Sequence, residues 1–261
     1  MISHADVGGG LANQMFQYAA GYTHALKMKT DYYYPPRPPH VSNALRSNGL
    51  REIFKLSALQ TGTHGPLYDE APQHECTRWC QQRLHFGSHY NTIPEVQHQT
   101  LYGYFQSEKY FREYKEEIRK EFTFRDPTEF KVPKKTVSIH VRRGDYLSKP
   151  EYHPICSMDY YHKAMKEFEG YNFLVITDDK EWCLEWFDLS NTQVSLAESA
   201  EEDLQRMALC DHHIIANSSF SWWGAWLNPN KDKIVIAPKK WLGDAFDYDL
   251  SEIYQPGWII L

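Results

Sequence analysis

The sequence predicts an α/β protein in which mainly parallel strands alternate with helices. In the second half, short apolar stretches take turns with amphipathic ones, which is the pattern of strands joined by right-handed helical crossovers. The first half opens in the same way, with an apolar stretch, three glycines and a segment of helical period. A polar stretch at 126–135 contains two prolines and predicts a boundary between two domains.

The first half begins with a turn of the kind that binds anions. Residues 2–7 are expected to form a strand, and apolar residues within 11–22 recur at the spacing of one helical face. The glycines at 8–10 lie between them, and backbone N–H groups at the start of a helix favour an anionic ligand. Asn13 stands where the dinucleotide-binding fingerprint has its third glycine, so a nicotinamide dehydrogenase is disfavoured.

The second half is expected to be a regular series of strands and helices. Val137, Ile139 and Val141 alternate with polar residues, as in a strand. Ser157 is a residue type that favours the start of a helix. Strands are predicted at 136–141, 172–176, 192–196, 212–216 and 233–237, and helices near 158–168, 180–187, 201–210 and after Asn217-Ser218-Ser219. Before the boundary, a strand is predicted at 101–106 and a helix from Ser107 to about Phe122.

Composition and charge exclude several classes of protein. Hydrophobic residues make up 42% of the chain and charged residues 24%, which is ordinary for a soluble globular protein. The net charge of −6 provides no basic surface for nucleic acid, so no nucleic-acid partner is expected. The five cysteines are odd in number and scattered, and they do not indicate a disulfide framework. No apolar run approaches the roughly 18 residues of a membrane span.

The expected location is the cytoplasm, because the first residues show neither the basic nor the apolar part of a signal peptide. Membrane association is expected only as a peripheral contact with the inner membrane. The alternative location is the Golgi lumen, if the chain is the trimmed catalytic part of a membrane-anchored eukaryotic enzyme.

Four groups of polar residues follow predicted strands. Because the carboxyl ends of parallel strands meet at one edge of a sheet, these groups are expected to face one crevice. Arg142 and Arg143 offer planar donor pairs that match a phosphate, and Asp145 is expected to fix one guanidinium so that the other stays free. The arginines, together with the serine hydroxyls at the start of the helix after Asn217, predict a diphosphate site. The four groups are 9–14, 140–145, 177–179 and 217–220.

Four motifs of the chain resemble, in order, those of family 11 glycosyltransferases, the α-1,2-fucosyltransferases. The motifs are GGLANQMFQYAAGY, IHVRRGDY, ITDD and DLQRMALCDHHIIANSSFSWWGAWLN. The resemblance implies a fold of the GT-B type, with two Rossmann-like lobes and a nucleotide-sugar site in the cleft between them. Residues 1–126 would form the acceptor-side lobe, 127–245 the lobe that binds GDP-fucose, and 246–261 a segment returning to the first lobe.

The resemblance also implies an activity. It is the transfer of L-fucose from GDP-fucose to the 2-hydroxyl of a β-galactoside, with inversion and without a metal or other cofactor. One alternative is another GDP-fucose transferase, of the α-1,6 or protein-O type. A second is a non-catalytic protein of the same fold that binds a GDP-sugar or a glycan. The sequence leaves the acceptor glycan and the oligomeric state open.

By the same resemblance, most of the polar residues at the strand ends receive a role in binding the donor. Arg142 would hold the β-phosphate with support from Arg143, and His140 and Asp203 would approach the guanine or the ribose. The other donor-binding positions are Gly10, Asn13, Asp145, Asp178, Ser218, Ser219 and Phe220.

For the chemical step, the candidate catalytic residues are Arg142, Asn13, Glu151 and His153. An inverting displacement benefits from a base that takes the proton of the acceptor hydroxyl. Glu151 and His153 lie in the loop after the arginine pair, and the resemblance fixes neither as that base. Asp178-Asp179 resembles the carboxylate pair of metal-dependent glycosyltransferases, but adjacent acids after a strand are favoured here as the start of a helix. No metal ligand is predicted.

Overall fold

The computed structural model describes residues 1–4, 9–34, 49–58, 77–80, 90–246 and 251–261. The chain divides into two compact units, Met1–Asp126 with Leu250–Ile253 and Pro127–Asp249 with Tyr254–Leu261. Each unit contains one sheet, and all described strand pairs are parallel. The predicted α/β class with parallel sheets is therefore confirmed. Gly8 of the glycine turn lies outside the described residues.

The first unit is a four-stranded sheet with a long helix packed against it. The strands are β1 (Ile2–His4), β2 (Tyr32–Tyr33), β3 (Thr77–Cys80) and β4 (Gln99–Tyr102), in the order β2-β1-β4-β3. The helices are α1 (Leu11–Lys27), α2 (Leu50–Ile53) and α3 (Lys115–Glu121). Thirteen of the 17 residues of α1 are buried, because the helix covers the sheet on one side and other segments cover the helix.

The helix predicted from Ser107 to Phe122 is interrupted in the structure. Ser107 does cap a helical turn, since its hydroxyl accepts the Lys109 N–H. That turn is of the 3-10 type (Glu108–Tyr110), a second 3-10 turn (Arg112–Tyr114) follows, and only then does α3 begin. Phe111 separates the two turns with a non-helical backbone (φ −137°), and its side chain is fully buried. Burial of this ring outweighs the local preference for a continuous helix.

The second unit is a six-stranded parallel sheet. Its strands are β5 (Thr136–Val141), β6 (Asn172–Thr177), β7 (Thr192–Val194), β8 (His212–Ile214), β9 (Val235–Ala237) and β10 (Ile259–Ile260), in the order β10-β9-β8-β5-β6-β7. Its helices are α4 (Met158–Lys166), α5 (Lys180–Trp186), α6 (Ala200–Ala208) and α7 (Ser219–Leu227). This is the strand order of a Rossmann fold, in which chain progression reverses between β5 and β8. Ligands of such sheets bind outside the carboxyl ends of the strands at that reversal.

The C-terminal segment divides between the units. The prediction assigned all of 246–261 to the first lobe, whereas only the turn at Ser251–Ile253 groups with the first unit. Strand β10 instead pairs with β9 and extends the second sheet. The backbone of Leu261 donates to Ala237 O (3.0 Å) and accepts from Lys239 N (2.6 Å), so the apolar chain end satisfies an open sheet edge.

Helix α7 is mostly apolar and lies deep in the second unit. Trp222 and Trp223 are fully buried, and Trp226 is nearly so. Gly224 allows α7 to approach α6 closely, because a Cβ at this position would lie 2.9 Å from Met207 Cβ. In the described part of the chain, no helix combines the length and the apolar character that crossing a membrane requires.

A buried hydrogen-bond network ties the central strands of the second sheet to the end of α7. His213 Nδ1 lies 2.7 Å from Ser138 Oγ, and His213 Nε2 lies 2.8 Å from Asn228 Nδ2. An amide nitrogen only donates, so Nε2 is the acceptor and Nδ1 carries the proton. Burial lowers the pKa of His213 to about 3, and the ring is therefore neutral at pH 7.

We expect this histidine to make folding sensitive to mild acid. In the unfolded chain His213 takes up a proton with a pKa near 6.5, whereas in the folded protein its pKa is lowered to about 3. The free energy of unfolding therefore decreases as the pH falls from about 6.5 to about 3. The limiting slope is about 1.4 kcal/mol per pH unit for each such histidine. Urea unfolding at pH 7, 6 and 5 should show a shallower pH slope for His213→Gln than for the wild type. The exposed His162→Gln is the control, and a wild-type slope in both variants would contradict the assignment.

Candidate functional site

The candidate site lies at the carboxyl ends of three adjacent strands of the second unit. Strand β5 runs between β6 and β8, so the segments that follow these strands start side by side. These segments carry Arg142-Arg143, Asp178-Asp179 and Asn217-Ser218. Three of the four polar groups predicted to meet are thus neighbours, and they occupy the reversal point of the Rossmann sheet.

Arg142 is held by two carboxylates. Its Nη1 donates to Asp178 Oδ2 (2.5 Å), and its Nη2 donates to Asp145. The guanidinium also lies over the Tyr146 ring, 5.1 Å from the centroid. The side chain of Asp145 is 64% exposed and that of Asp178 is 26% exposed, so Asp145 is the partner that solvent or a ligand reaches more easily.

Arg143 is paired as well. Its Nε donates to Asp179 Oδ2 (2.9 Å), and its guanidinium stacks over the Trp182 ring at 4.1 Å. Asp179 Oδ1 accepts the Trp182 N–H at the start of α5, as expected for an acid that begins a helix. The Arg143 hydrogen bond holds the pKa of Asp179 below its ordinary value. The expectation that one guanidinium stays unpaired is not met, because three aspartates at the strand ends share two arginines.

Asp178 joins the two loops, and Gly144 gives it room. One carboxylate oxygen binds Arg142, and the other accepts the backbone N–H of Arg143 (2.8 Å). A Cβ at position 144 would overlap Asp178 Oδ2. Gly144 is therefore required because the Asp178 side chain lies against its backbone. The backbone at Gly144 does not have the positive φ for which glycine is usually selected. Among the described residues, no group of three or more His, Cys, Asp or Glu is arranged to hold a metal ion.

His140 and the start of α7 complete this edge of the sheet. The His140 ring is buried 5.4 Å from the Phe220 ring, and its Nδ1 has no hydrogen-bond partner among the described residues. Burial, with the charge of Arg142, lowers the pKa of His140 to about 3, so the ring is neutral. Ser218 caps α7 by accepting the Phe220 N–H (3.3 Å), and Ser219 and Phe220 are half-buried at the same helix start. This helix end presents backbone N–H groups beside the arginine pair.

Tyr146 is a site residue that the sequence analysis did not identify. Its hydroxyl donates to Asn217 O (3.2 Å), while its ring lies under Arg142 and stacks on His153 (4.5 Å between centroids). Burial raises the pKa of Tyr146 to about 12, so it stays a neutral donor. Tyr146 therefore connects the loop after β5 to the loop after β8. Its position directly after the charged turn is the only signal that the sequence offers.

The two candidate bases differ in their surroundings. His153 stacks on Tyr146, and partial burial lowers its pKa, so the ring is neutral and able to accept a proton at pH 7. Glu151 has an exposed side chain, and its backbone carbonyl accepts the Ala245 N–H (3.0 Å). The structure thus brings His153 next to the arginine site and leaves the Glu151 carboxylate in solvent.

Asp203 lies in the first turn of α6, next to the end of β7. Its Oδ1 accepts the hydroxyl proton of Ser195 (2.6 Å). Burial raises the pKa of Asp203, and the Ser195 hydrogen bond and the charge of Arg206 oppose that shift. Ser195 was not identified from the sequence.

Gly10 and Asn13 belong to the first unit. Gly10 directly precedes α1 with an extended backbone, and Ala12 lies inside the helix without a positive φ. Asn13 Oδ1 accepts Gln106 Nε2 (2.8 Å). Gly9 has φ of 77°, and a Cβ there would lie 2.6 Å from Asn13 Nδ2. Glycine is therefore required at this position both by the backbone conformation and by the close approach of the Asn13 side chain. The role of Gly10 and Asn13 in binding a donor stays a prediction.

Comparison with known proteins gives a consistent result. A model of glycosyl transferase family 11 matches residues 5–261. An α-1,2-colitosyltransferase of Escherichia coli is 32% identical over 267 residues, covering 91% of this chain and 91% of that protein. The galactoside 2-alpha-L-fucosyltransferase Sec1 of Mus musculus is 26% identical, covering 97% of this chain and 72% of that protein.

A solved structure supports the fold. The fucosyltransferase NodZ from Bradyrhizobium matches with a TM-score of 0.55 at 13% identity, covering 87% of this chain and 93% of that chain. Together with the two parallel sheets, this likeness confirms the predicted fold class, an α/β protein of the GT-B type with Rossmann-like lobes.

The contact between Gly144 and Asp178 can be tested by a double-mutant cycle. Gly144→Ala should destabilise the protein by about 1–3 kcal/mol, because the added methyl displaces the carboxylate from Arg142 and Arg143 N. In an Asp178→Ala background the same change should cost less than about 0.5 kcal/mol. Chemical denaturation of the four proteins measures both values. Equal costs in the two backgrounds would show that the glycine serves another purpose.

Proposed function

Because the chain belongs to glycosyl transferase family 11, we propose that it transfers L-fucose from GDP-fucose to the 2-hydroxyl of a β-galactoside. The reaction proceeds with inversion and without a metal cofactor in this proposal. The observation that carries it is the arginine pair at the Rossmann reversal point, beside the N-terminus of α7. This combination of guanidinium groups and helix N–H groups suits a diphosphate.

The paired arginines explain how the leaving group is stabilised. Cleavage of the sugar–phosphate bond leaves its electrons on the diphosphate, and fixed donors aimed at that charge lower the barrier. Arg142 is already oriented by Asp178 and by the Tyr146 ring. The exposed Asp145 carboxylate is the contact that the β-phosphate replaces, so Arg142 exchanges one anion for another without moving its guanidinium.

The new bond forms between the sugar C1 and the acceptor oxygen, on the face opposite the departing diphosphate. The proton of the galactose 2-hydroxyl then needs an acceptor. His153 is the better placed of the two candidates, because its neutral ring lies on Tyr146 and thus near Arg142. Glu151 is the second candidate, reaching the acceptor from the solvent side.

A second candidate function is the α-1,2-transfer of colitose. It is favoured by the 32% identity to the α-1,2-colitosyltransferase, which extends over nine-tenths of both chains. Both candidates share the linkage and the arginine chemistry, and they differ only in the sugar that the donor carries.

The direct test is nucleotide release with GDP-fucose and with a colitose donor in the presence of EDTA. Lactose, N-acetyllactosamine, lacto-N-biose and galactose serve as acceptors. We expect acceptor-dependent release with one β-galactoside and a product carrying a 2-linked sugar, because the site relies on arginines for the leaving charge. A 6-linked product or a fucosylated protein would favour the other GDP-fucose transferases. Tight GDP binding without turnover on any acceptor would favour a binding protein.

The role of Arg142 predicts a large effect of its removal. Arg142→Ala should lower kcat/KM by about a hundredfold to a thousandfold, since a fixed donor to the developing charge is lost. Arg112→Ala is the matched control, because Arg112 lies in the first unit, where its half-exposed side chain pairs with Glu108. Steady-state kinetics on folded variants measures the effect. Near-normal turnover of Arg142→Ala would exclude the assigned role.

A further inference from the structure

A second hydrogen-bonded cluster lies at the same edge of the second sheet, one strand beyond β6. Ser195 follows β7 directly, and its buried hydroxyl donates to Asp203 Oδ1 at 2.6 Å. Arg206, one turn further along α6, donates from Nη1 to the same hydroxyl oxygen at 3.0 Å. The cluster thus consists of one carboxylate, one hydroxyl and one guanidinium in series.

The direction of the Ser195 proton follows from counting its hydrogen bonds. The oxygen accepts from Arg206 Nη1 and from the backbone N–H of Ala197 (3.2 Å). A hydroxyl has two lone pairs and one proton, and both lone pairs are in use. The proton can therefore point only to Asp203. The two donors fix the hydroxyl, and the hydroxyl fixes one oxygen of the carboxylate.

Arg206 is itself held in place by packing. Its guanidinium lies over the Phe130 ring, 4.4 Å from the centroid, and Nη2 lies 3.5 Å from Glu202. Its Nε is buried and has no hydrogen-bond partner among the described residues. An aromatic face and one neighbouring acid thus replace solvent around this side chain, which leaves Arg206 little freedom to move away from Ser195.

The consequence for Asp203 is an oriented carboxylate. Ser195 occupies Oδ1, and no hydrogen bond within the described residues holds Oδ2. Burial favours the neutral acid, whereas the Ser195 proton and the Arg206 charge favour the anion. An ionised carboxylate whose plane is fixed on one side is suited to a ligand that offers two adjacent N–H donors.

We propose that Ser195 and Arg206 are positioning residues for nucleobase recognition, holding Asp203 so that its carboxylate accepts the N1–H and the 2-amino group of guanine. The inference rests on the proposed function and on the expectation, implied by the family resemblance, that Asp203 approaches the guanine or the ribose of the donor. Guanine presents these two donors on one edge. Hypoxanthine lacks the 2-amino group, and adenine has an acceptor at N1 as well. The expected order of affinity is therefore GDP, then IDP, then ADP.

The test is the ratio of dissociation constants for GDP and IDP, measured by calorimetric titration on the full chain. The wild type should bind GDP about tenfold or more tightly than IDP, as expected for a hydrogen bond to a charged group. Ser195→Ala should reduce this ratio to within about threefold, because the carboxylate is free to rotate. Ser195→Thr keeps the hydroxyl and should retain the ratio. Arg206→Gln should also reduce the ratio while leaving Ser195 in place. This variant replaces Ser195→Ala in the test if Ser195→Ala fails to fold.

A matched control is available at the other end of the same strand. Ser190 precedes β7 and is exposed, so Ser190→Ala should leave both dissociation constants unchanged. Equal weakening of GDP and IDP in Ser195→Ala would indicate a purely structural role and overturn the inference. A wild type that binds GDP and IDP equally would overturn it too. A wild type that binds no GDP at all would overturn the proposed function itself, which distinguishes the two failures.

Discussion

The architecture of the candidate site depends on the carboxylate of Asp178. Asp178 directly follows β6, and its side chain extends to the loop after β5, where one carboxylate oxygen binds the Arg142 guanidinium and the other accepts the backbone N–H of Arg143. A single carboxylate thereby fixes both the side chain of Arg142 and the backbone of Arg143. The contact is possible because position 144 carries no side chain. Replacing either group would release the turn that presents both guanidinium groups.

The same contacts set the net charge of the candidate site. Arg142 and Arg143 are paired with Asp145, Asp178 and Asp179, so these five groups together carry one negative charge. A diphosphate adds further negative charge and must take over donors that carboxylates hold. Asp178 and Asp179 each have a second bond that ties them to the backbone, whereas Asp145 is largely exposed. The cost of rearrangement is therefore concentrated on one solvated side chain, for which an ion pair contributes little.

Features of the fold that arise from local periodicity could be predicted from the sequence. The alternation of apolar and polar residues at 137–141 indicates β5. Because the residues that follow parallel strands lie at one edge of the sheet, Arg142 and Ser218 could be predicted as neighbours. Adjacency of β5 and β6 brings Asp178 close to the arginine pair. Which carboxylate pairs with which arginine depends on differences of about an ångström and could not be predicted from the sequence. The family resemblance supplied the expected donor and linkage.

Other features depend on long-range packing that no local pattern encodes. Ser195 is one serine after a short strand, and it gains its role because β7 brings it against α6. Strand β10 has two residues, and its pairing with β9 spans more than twenty positions of sequence. The interruption at Phe111 arises because burying one aromatic ring is worth more than continuing a helix. Each of these depends on contacts between distant segments, which single-sequence periodicity does not report.

The close crossing of α6 and α7 at Gly224 has a consequence for how the second unit meets a ligand. Ser218 caps the start of α7 beside the arginine pair, and α6 carries Asp203 in its first turn. Because Met207 packs directly on the bare backbone of Gly224, α6 and α7 form one closely packed frame that includes both helix starts. The entropy of ordering that frame is lost when the chain folds, before any nucleotide arrives. Binding then draws on preorganised groups, and little of the interaction energy is spent on assembling them.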